Sequence, residues 1–284
     1  MATYRIAGVQ MDVKIADVEG NRQQMADYLN TTVENGAEMT VFPECASTGY
    51  CFESLEEAMV VAESVDGPTA GYFEDLCRRL NTFLVYGFLE TDGARLFNSL
   101  NLIGPKGRIG TYRKIHLPFL GVDRFSSMGD SFEVFDLGFT RVGLHICYDG
   151  SFPESGRCLA LKGADLLILP TNWPPGSGAA ADVIPNARAM ENHTYFLSVN
   201  RVGIERGFEF IGKSKLSDPN GHDLVFENHS RPAVFYGTID PSIPRQKKLI
   251  RVPGKHEIDR FGDRRPEKYS AIVSECVPSD DRTP

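Results

Sequence analysis

The chain has 284 residues, a length that suits one large domain or two small ones and is sufficient to bury an extensive core. Hydrophobic residues make up 42% and charged residues 24%, which is ordinary for a soluble globular protein. The formal net charge of −8 argues against binding to nucleic acid or to an anionic membrane, because both require basic surfaces.

The first half of the chain alternates short apolar strands with amphipathic helices. Gly36 is a stop signal for the first helix, and Gly104-Pro105-Lys106-Gly107 is a strong turn signal that predicts a hairpin. The pattern predicts strands at 4–13, 39–42, 83–89, 95–103 and 108–113, and helices at 21–35 and 67–80.

The second half continues in the same way. The segment 165–169 is almost purely apolar, which is typical of a strand buried on both faces. The pattern predicts strands at 141–147, 165–169, 194–200, 212–217 and 233–239, and helices at 153–162 and 179–192. Because βα units are mixed with hairpins, we predict a layered α/β sheet protein.

No internal repeat or linker interrupts the chain, so we predict one domain at 1–270 and a C-terminal tail at 271–284. The sequence from about Val252 is rich in charge and proline, and we expect an extended or frayed arm there. No apolar run reaches the ~18 residues of a membrane span, and the N-terminus lacks the pattern of a signal peptide. These features predict a cytoplasmic protein.

Three reactive side chains lie where predicted strands end. Glu44 follows the strand at 39–42, Lys114 follows the strand at 108–113, and Cys147 ends the strand at 141–147. Ligands of α/β proteins bind at the carboxyl ends of strands. A sharp turn after a strand exposes a nucleophile beside backbone N–H groups.

The three residue types together suffice for acyl transfer from an amide. A thiol is a strong nucleophile as its thiolate, and a nearby carboxylate can take its proton. An ammonium group stabilises the thiolate and then the oxyanion of a tetrahedral intermediate. Each type alone is more often structural, so the surrounding sequence decides.

Three motifs surround these residues in order along the chain, and other segments match the same family. The motifs are Val41-Phe42-Pro43-Glu44, Tyr112-Arg113-Lys114-Ile115-His116-Leu117 and Gly143-Leu144-His145-Ile146-Cys147-Tyr148-Asp149, and the further segments include Pro170-Thr171-Asn172-Trp173 and Arg264-Arg265-Pro266-Glu267. The chain resembles the nitrilase superfamily of carbon–nitrogen hydrolases from about residue 4 to about residue 270. Three independent motifs in the right order make this resemblance specific.

The resemblance implies a fold, an assembly and a mechanism. The fold would be a four-layer αββα sandwich, joined through its helical faces into a homodimer or a higher even-numbered oligomer. Glu44 would be the general base, Lys114 the oxyanion stabiliser and Cys147 the nucleophile, with the backbone N–H of Tyr148 as a second oxyanion contact. A thioester acyl-enzyme would form with release of ammonia or an amine, and no metal or organic cofactor would take part.

The loop after Lys114 departs from the family pattern. Many members carry a second glutamate there, but residues 115–131 contain none. The available carboxylates are Asp123 and Asp130, of which Asp123 is the nearer match. The alternative interpretation makes Asp123 a partner of Arg124 or of a helix end.

The substrate class is narrowed by the residues after the nucleophile. Cys147 precedes Tyr148-Asp149 and not the Trp-Glu that true nitrilases tend to carry, which favours small linear amides or N-carbamoyl compounds over nitriles. Candidates for the substrate pocket are Tyr50, Phe119, Asn172 and Trp173, although aromatic residues more often belong to a core.

Other functional classes fit less well. A catalytically silent binding subunit stays open, but such proteins usually lose one triad member. A redox thiol protein would carry a Cys-x-x-Cys pair, and the six cysteines at 45, 51, 77, 147, 158 and 276 are scattered and expected to be free thiols. The six histidines contain no pair at helical ligand spacing, so we expect no metal site, and we expect His145 to be a hydrogen-bonded interior residue.

Overall fold

The computed structural model describes residues 2–274, so Cys276 and most of the predicted tail at 271–284 lie outside the described residues. The chain divides into two compact units, one ending at Arg245 and one beginning at Gln246. Within residues 2–274, no helix has both the length and the apolar character needed to cross a membrane.

The secondary structure of the described residues alternates as the sequence predicts. The strands are β1 (Tyr4–Gln10), β2 (Met39–Val41), β3 (Phe83–Asp92), β4 (Arg95–Gly104), β5 (Gly107–Arg113), β6 (Val134–Asp136), β7 (Arg141–Leu144), β8 (Leu166–Thr171), β9 (Tyr195–Asn200), β10 (Val202–Glu205), β11 (Phe208–Ile211), β12 (Ser214–Ser217), β13 (Asp223–Glu227), β14 (Ala233–Ile239), β15 (Lys248–Val252) and β16 (His256–Asp259). The helices are α1 (Val18–Glu34), α2 (Leu55–Val61), α3 (Pro68–Leu80), α4 (Pro153–Leu161), α5 (Gly178–Asn192) and α6 (Ser242–Arg245).

Two mixed six-stranded sheets form the centre of the first unit. Their strand orders are β14-β1-β2-β3-β4-β5 and β13-β12-β9-β8-β7-β6. In each sheet three neighbouring strands are parallel, β1 to β3 in one and β7 to β9 in the other, and antiparallel strands flank them. This mixed order is the one that βα units interspersed with hairpins predict.

The two sheets pack face to face through one apolar core. Val41, Val85 and Leu100 of the first sheet belong to the same buried cluster as Val142 and Ile168 of the second. A second cluster joins α1 and α3 to the outer face of the first sheet, and a third joins α4 and α5 to the outer face of the second. The arrangement is the predicted four-layer αββα sandwich.

Local sequence explains where the helices begin and end. The Asp17 side chain accepts a hydrogen bond from the Gly20 N–H at 3.0 Å and caps α1. Pro68 opens α3, where its missing N–H costs nothing, and Asn81 closes it in the left-handed conformation. The short helix α2, capped by Ser54, was not predicted because it shows too few turns for a helical period.

The second unit differs from the expected arm. Its strands β15 and β16 form an antiparallel hairpin, and the Lys248 ammonium lies 2.6 Å from a Glu257 carboxylate oxygen across it. Of the two alternatives for the segment from about Val252, an extended or a frayed arm, fraying does not apply to the paired residues of this hairpin. One charge of that segment, Glu257, is paired across the hairpin with Lys248, a contact that depends on register.

Candidate active site

A strained turn presents Cys147 at the end of β7. The strand stops at Leu144, three residues earlier than predicted, and Cys147 opens a 3-10 turn that runs to Ser151. The φ angle of Cys147 is 43°, a conformation that costs a non-glycine residue about 1–3 kcal/mol. The surrounding hydrogen bonds must therefore hold this turn in place.

The buried carboxylate of Asp149 supplies those bonds. Its Oδ2 accepts from the Ile146 N–H at 2.9 Å and from the Tyr112 hydroxyl at 2.8 Å. Its Oδ1 accepts from the His116 N–H at 3.0 Å and lies 2.7 Å from His116 Nδ1. Burial raises the pKa of Asp149, but the bonds from His116, Ile146 and Tyr112 outweigh it and lower the pKa overall. Asp149 thus ties the Cys147 turn to the segment that follows Lys114.

Lys114 is fully buried between two carboxylates. Its Nζ donates to Glu44 Oε1 at 2.7 Å and to Asp123 Oδ2 at 2.6 Å. Burial lowers the pKa of Lys114, but the charges of Asp123 and Glu44 outweigh it and raise the pKa well above its ordinary value. The side chain is therefore an ammonium ion in this site.

Asp123 lies in the buried cluster and not on the surface. It belongs to a 3-10 turn at Gly121–Arg124, and besides Lys114 it accepts from Asn98 Nδ2 at 2.9 Å and from the Tyr50 hydroxyl at 2.7 Å. The alternative of a salt bridge to Arg124 is wrong. The Arg124 guanidinium donates instead to the carbonyl oxygens of Gly121 and Phe52, both at 2.9 Å.

The two oxygens of Glu44 have different environments. Oε1 accepts from Lys114 and from Asn98 Nδ2, each at 2.7 Å. Oε2 is buried and has no hydrogen-bond partner within the described part of the chain. Burial raises the pKa of Glu44, Lys114 lowers it, and Asp123 raises it again, with a net rise above the ordinary value. A carboxylate with a raised pKa and a free oxygen is suited to accept a proton.

The Cys147 thiol responds to the same charges. Burial raises the pKa of Cys147 well above its ordinary value, and the Glu44 carboxylate raises it further. The Lys114 ammonium and a hydrogen bond from the backbone of Asn172 lower it in part. The raised pKa favours the protonated thiol, and a base that removes this proton would generate the nucleophile.

Of the four predicted pocket residues, three are buried near the charged site or the Cys147 turn, and the fourth is exposed. Tyr50 is buried with its hydroxyl on Asp123, and Trp173 is buried in the apolar cluster against which Cys147 packs. Asn172 is only 1% exposed, and neither its amide oxygen nor its amide nitrogen has a hydrogen-bond partner among residues 2–274. Phe119 is 90% exposed and borders a surface cavity of about 300 Å³.

A larger cavity lies beside the Cys147 turn. It has a volume of about 620 Å³ and is lined in part by His116, Met128, Tyr148 and Phe152. The His116 and Phe152 rings stack with centroids 3.7 Å apart, so the wall of this cavity is connected to the Asp149 hydrogen bonds. Tyr148, one of the predicted site residues, exposes 39% of its surface here.

Sequence reasoning missed two residues of this site. Asn98 joins Glu44 to Asp123, and Asp149 fixes the Cys147 turn. A signal existed for Asn98, which is a polar residue at the centre of the apolar strand β4. Asp149 lies in a recognised motif, but its partners come from a different segment and become adjacent only in the fold.

Candidate metal ligands do not converge in residues 2–274, where no group of three or more His, Cys, Asp or Glu side chains is arranged to hold an ion. His145 is an interior residue, as expected, with Nδ1 2.8 Å from Ser155 Oγ. Burial lowers the pKa of His145 to about 4.

Comparison with known proteins gives consistent matches over nearly the whole chain. A model of the carbon–nitrogen hydrolase family matches residues 5–248. A protein named nitrilase from Pyrococcus abyssi is 39% identical over 93% of this chain and 98% of its own length. A citrullinase from Francisella tularensis is 29% identical over 96% of this chain and 99% of its own length.

Solved structures share the fold. An amidase from Nesterenkonia sp. superposes with a TM-score of 0.82 at 24% identity, covering 95% of this chain and 96% of that one. A glutamate-to-glutamine mutant of the amidase from Nesterenkonia sp. superposes with a TM-score of 0.79 at 22% identity, covering 94% and 96%. That mutant carries the acetamide moiety of fluoroacetamide, added covalently at its active-site cysteine.

Proposed function

The chain belongs to the carbon–nitrogen hydrolase family, and we propose that it hydrolyses small linear amides with Cys147 as nucleophile, Glu44 as general base and Lys114 as oxyanion stabiliser. One observation carries the proposal. The buried Glu44 carboxylate has one oxygen held by the Lys114 ammonium and, within residues 2–274, no partner for the other, and its charge raises the pKa of the Cys147 thiol at the strained turn. Burying a charged carboxylate costs free energy, so Glu44 is poorly explained by a role in stabilising the fold.

The first half of the reaction forms a thioester. Glu44 takes the proton of the Cys147 thiol through Oε2 while the sulfur attacks the carbonyl carbon of the amide. The carbonyl electron pair moves to oxygen, where the Lys114 ammonium and the Tyr148 backbone N–H stabilise the negative charge. As the intermediate collapses, the carbon–nitrogen bond breaks and Glu44 returns the proton to the departing nitrogen, which leaves as ammonia or an amine.

The second half consumes water. Glu44 removes a proton from a water molecule, whose oxygen attacks the thioester carbon. The carbon–sulfur bond then breaks, the sulfur regains its proton, and the carboxylic acid is released. The covalent adduct on the cysteine of the Nesterenkonia amidase mutant supports a nucleophilic cysteine in this fold.

Asp123 and Asn172 have proposed roles around this centre. Asp123 lies on the second side of the ammonium and would orient Lys114 and the substrate. Asn172, whose backbone bonds the Cys147 sulfur, carries a buried amide that has no partner among residues 2–274 and would bind a polar group of the substrate. A buried amide without partners costs about 1–3 kcal/mol, which a bound substrate would recover. Trp173 and Phe119 would contribute apolar walls at the centre and at the rim.

A second substrate class, N-carbamoyl compounds, is favoured by one finding. The Francisella tularensis relative is named a citrullinase, and a carbamoyl group presents the same carbonyl and leaving nitrogen to the thiol. Ammonia release from short amides, dicarboxylate monoamides, N-carbamoyl amino acids and nitriles separates the classes. We expect amides to be hydrolysed fastest. Exclusive activity on nitriles would contradict the proposal.

The nucleophile is tested with Cys147→Ala and Cys147→Ser. Both variants should fold and lose turnover, because a serine hydroxyl cannot form a comparable nucleophile in this site. Iodoacetamide should label Cys147 in the native enzyme and label it much more slowly in Glu44→Gln, while exposed Cys158 reacts equally in both. Full turnover by Cys147→Ala would reject the mechanism. A protein that binds amides and hydrolyses none would be the silent binding subunit.

A further inference from the structure

Asn98 lies between the two carboxylates of the site. It is fully buried on β4, and its Nδ2 donates to Glu44 Oε1 at 2.7 Å and to Asp123 Oδ1 at 2.9 Å. Two ionised carboxylates can only accept, so the amide NH₂ must face them. The amide oxygen faces the other way and accepts from the Cys45 thiol at 3.5 Å.

This placement decides which oxygen of Glu44 is free. With Asn98 and Lys114 both on Oε1, the carboxylate cannot rotate without losing two charge-assisted bonds. Oε2 is left without a partner among the described residues. The second N–H of Asn98 holds Asp123, so a single amide group fixes the separation of two like charges that share one ammonium.

We propose that Asn98 is a positioning residue that locks the Glu44 carboxylate so that Oε2 stays free to take the thiol proton, and that it keeps Asp123 apart from Glu44. The inference rests on the proposed function, because it assigns Asn98 an effect on the general base. Asn98 touches neither the sulfur nor the reacting carbon in this role.

The arrangement makes the acidity of Glu44 depend on Asn98. The charged and titratable groups that act on or adjoin Glu44 are Lys114, Asp123, Cys147, Cys45 and Tyr50. Burial raises the pKa of Glu44, and the bonds from Lys114 and Asn98 lower it. Removing Asn98 therefore raises the pKa of Glu44 further. The base then loses its charge at a higher pH, and the acidic limb of the activity profile moves toward neutral pH.

The experiment compares Asn98→Ala with Asn101→Ala. Asn101 is a matched control, because it is also a fully buried asparagine on β4, but its Nδ2 bonds Val65 O and Tyr86 Oη, each at 3.2 Å. In Asn98→Ala we expect the apparent pKa of the acidic limb of the kcat/KM profile to rise by about one unit. This is the effect of losing one hydrogen bond to a charged group. We expect kcat to fall at least about tenfold with KM nearly unchanged. Asn101→Ala should keep the native profile.

A second readout separates this inference from the proposed function. The rate of Cys147 alkylation by iodoacetamide against pH, measured on the Cys147 peptide by mass spectrometry, reports proton removal without any turnover. A native enzyme that hydrolyses no amide would refute the proposed function, whereas alkylation would still test Asn98. If Asn98→Ala does not fold, Asn98→Ser carries the same test. A folded Asn98 variant with the native pH profile, or an equal shift in Asn101→Ala, would overturn the proposal.

Discussion

Two cysteines with left-handed backbone conformations lie beside the buried charged residues Glu44, Lys114 and Asp123. Cys147 has a φ of 43° and Cys45, which directly follows Glu44, has a φ of 50°. Such conformations persist where surrounding structure over-determines them, and they concentrate at functional sites. Here the Asp149 bonds hold the first turn. The backbone at Cys45 packs against Gly87 of β3, where a Cβ atom would collide with it. Both strained positions therefore lie at or next to a proposed catalytic residue.

Replacing Glu44 should separate activity from stability. The folded-state pKa of Glu44 is raised, so its ionised form weakens the fold at neutral pH, and stability from this group is gained only as pH falls through the raised value. In Glu44→Gln we expect turnover to fall by about 10²–10⁴-fold, the range for a lost general base. We expect the melting temperature at pH 7 to stay equal or to rise, as calorimetry would show.

Lys114→Ala should lower both activity and stability, unlike Glu44→Gln. It removes the ammonium shared by two buried carboxylates, and breaking such a pair costs about 3–5 kcal/mol. Activity and melting temperature should therefore fall together. A Glu44→Gln variant as unstable as Lys114→Ala would show that the carboxylate is present for the fold and not for catalysis.

Asp123→Asn tests the carboxylate that departs from the family pattern. The amide keeps the shape of the side chain but loses the charge that holds Lys114, so we expect kcat/KM to fall by about ten- to a thousandfold. Asp130→Asn is the matched control, since Asp130 lies in the same loop and is exposed. Steady-state kinetics should show native rates for the control. Equal rates in both variants would remove Asp123 from the site.

Sequence placed the charged residues correctly beside strand ends but could not assign their partners. Tyr50 was expected to line the pocket, but its hydroxyl donates to Asp123. The buried Glu205 carboxylate accepts from the backbone N–H groups of Tyr50 and Cys51 and so fixes the loop that carries Tyr50. Asn98 was not foreseen, because its role depends on the cross-strand position of β4. Contacts made over 25 to 155 residues of chain leave no local pattern.

Elements were predictable where hydrophobic periodicity was long. The helices at 18–34, 68–80 and 178–192 and the central strands lie within a few residues of their expected positions. The strand β7 was predicted three residues too long, because Asp149 takes the Ile146 N–H from the sheet into the Cys147 turn. The ribbon β10–β11 was missed because its strands are short and partly exposed.

The Cys147 turn should be sensitive to acid through Asp149. The pKa of Asp149 is lower in the folded state than in the unfolded chain, so ionised Asp149 stabilises the fold at any pH above the ordinary aspartate pKa. This stabilisation is lost as the pH falls from the ordinary pKa toward the lowered folded-state pKa. In Asp149→Asn we expect lower stability at neutral pH and a smaller loss on acidification than in the native chain. Chemical denaturation at pH 7 and at about pH 3 measures both differences.

A carboxylate on the surface gives the comparison for this test. Asp75 on α3 is 73% exposed in its side chain and pairs with Arg78 three residues later, a contact that contributes little. Asp75→Asn should follow the native pH dependence. If Asp149→Asn did the same and kept full activity, the turn would not depend on this carboxylate.

The outer helical layer of the second sheet exposes apolar side chains. Val183 and Met190 lie seven residues apart on α5 and are 61% and 46% exposed, and Leu161 at the end of α4 is 45% exposed. Residues at this spacing share one helical face. The family resemblance implies an isologous contact through the helical faces, so we expect a homodimer or a higher even-numbered oligomer.

Val183→Glu should weaken that assembly, because a symmetric contact brings two copies of each substitution into one interface and buries two added charges. Light scattering at micromolar concentration should give an even multiple of the chain mass for the native protein and a smaller mass for the variant. Val60→Glu is the control, since Val60 is 84% exposed on α2, away from α4 and α5. A native protein of monomer mass would contradict the dimer, and a loss of assembly in Val60→Glu alone would place the contact on a different face.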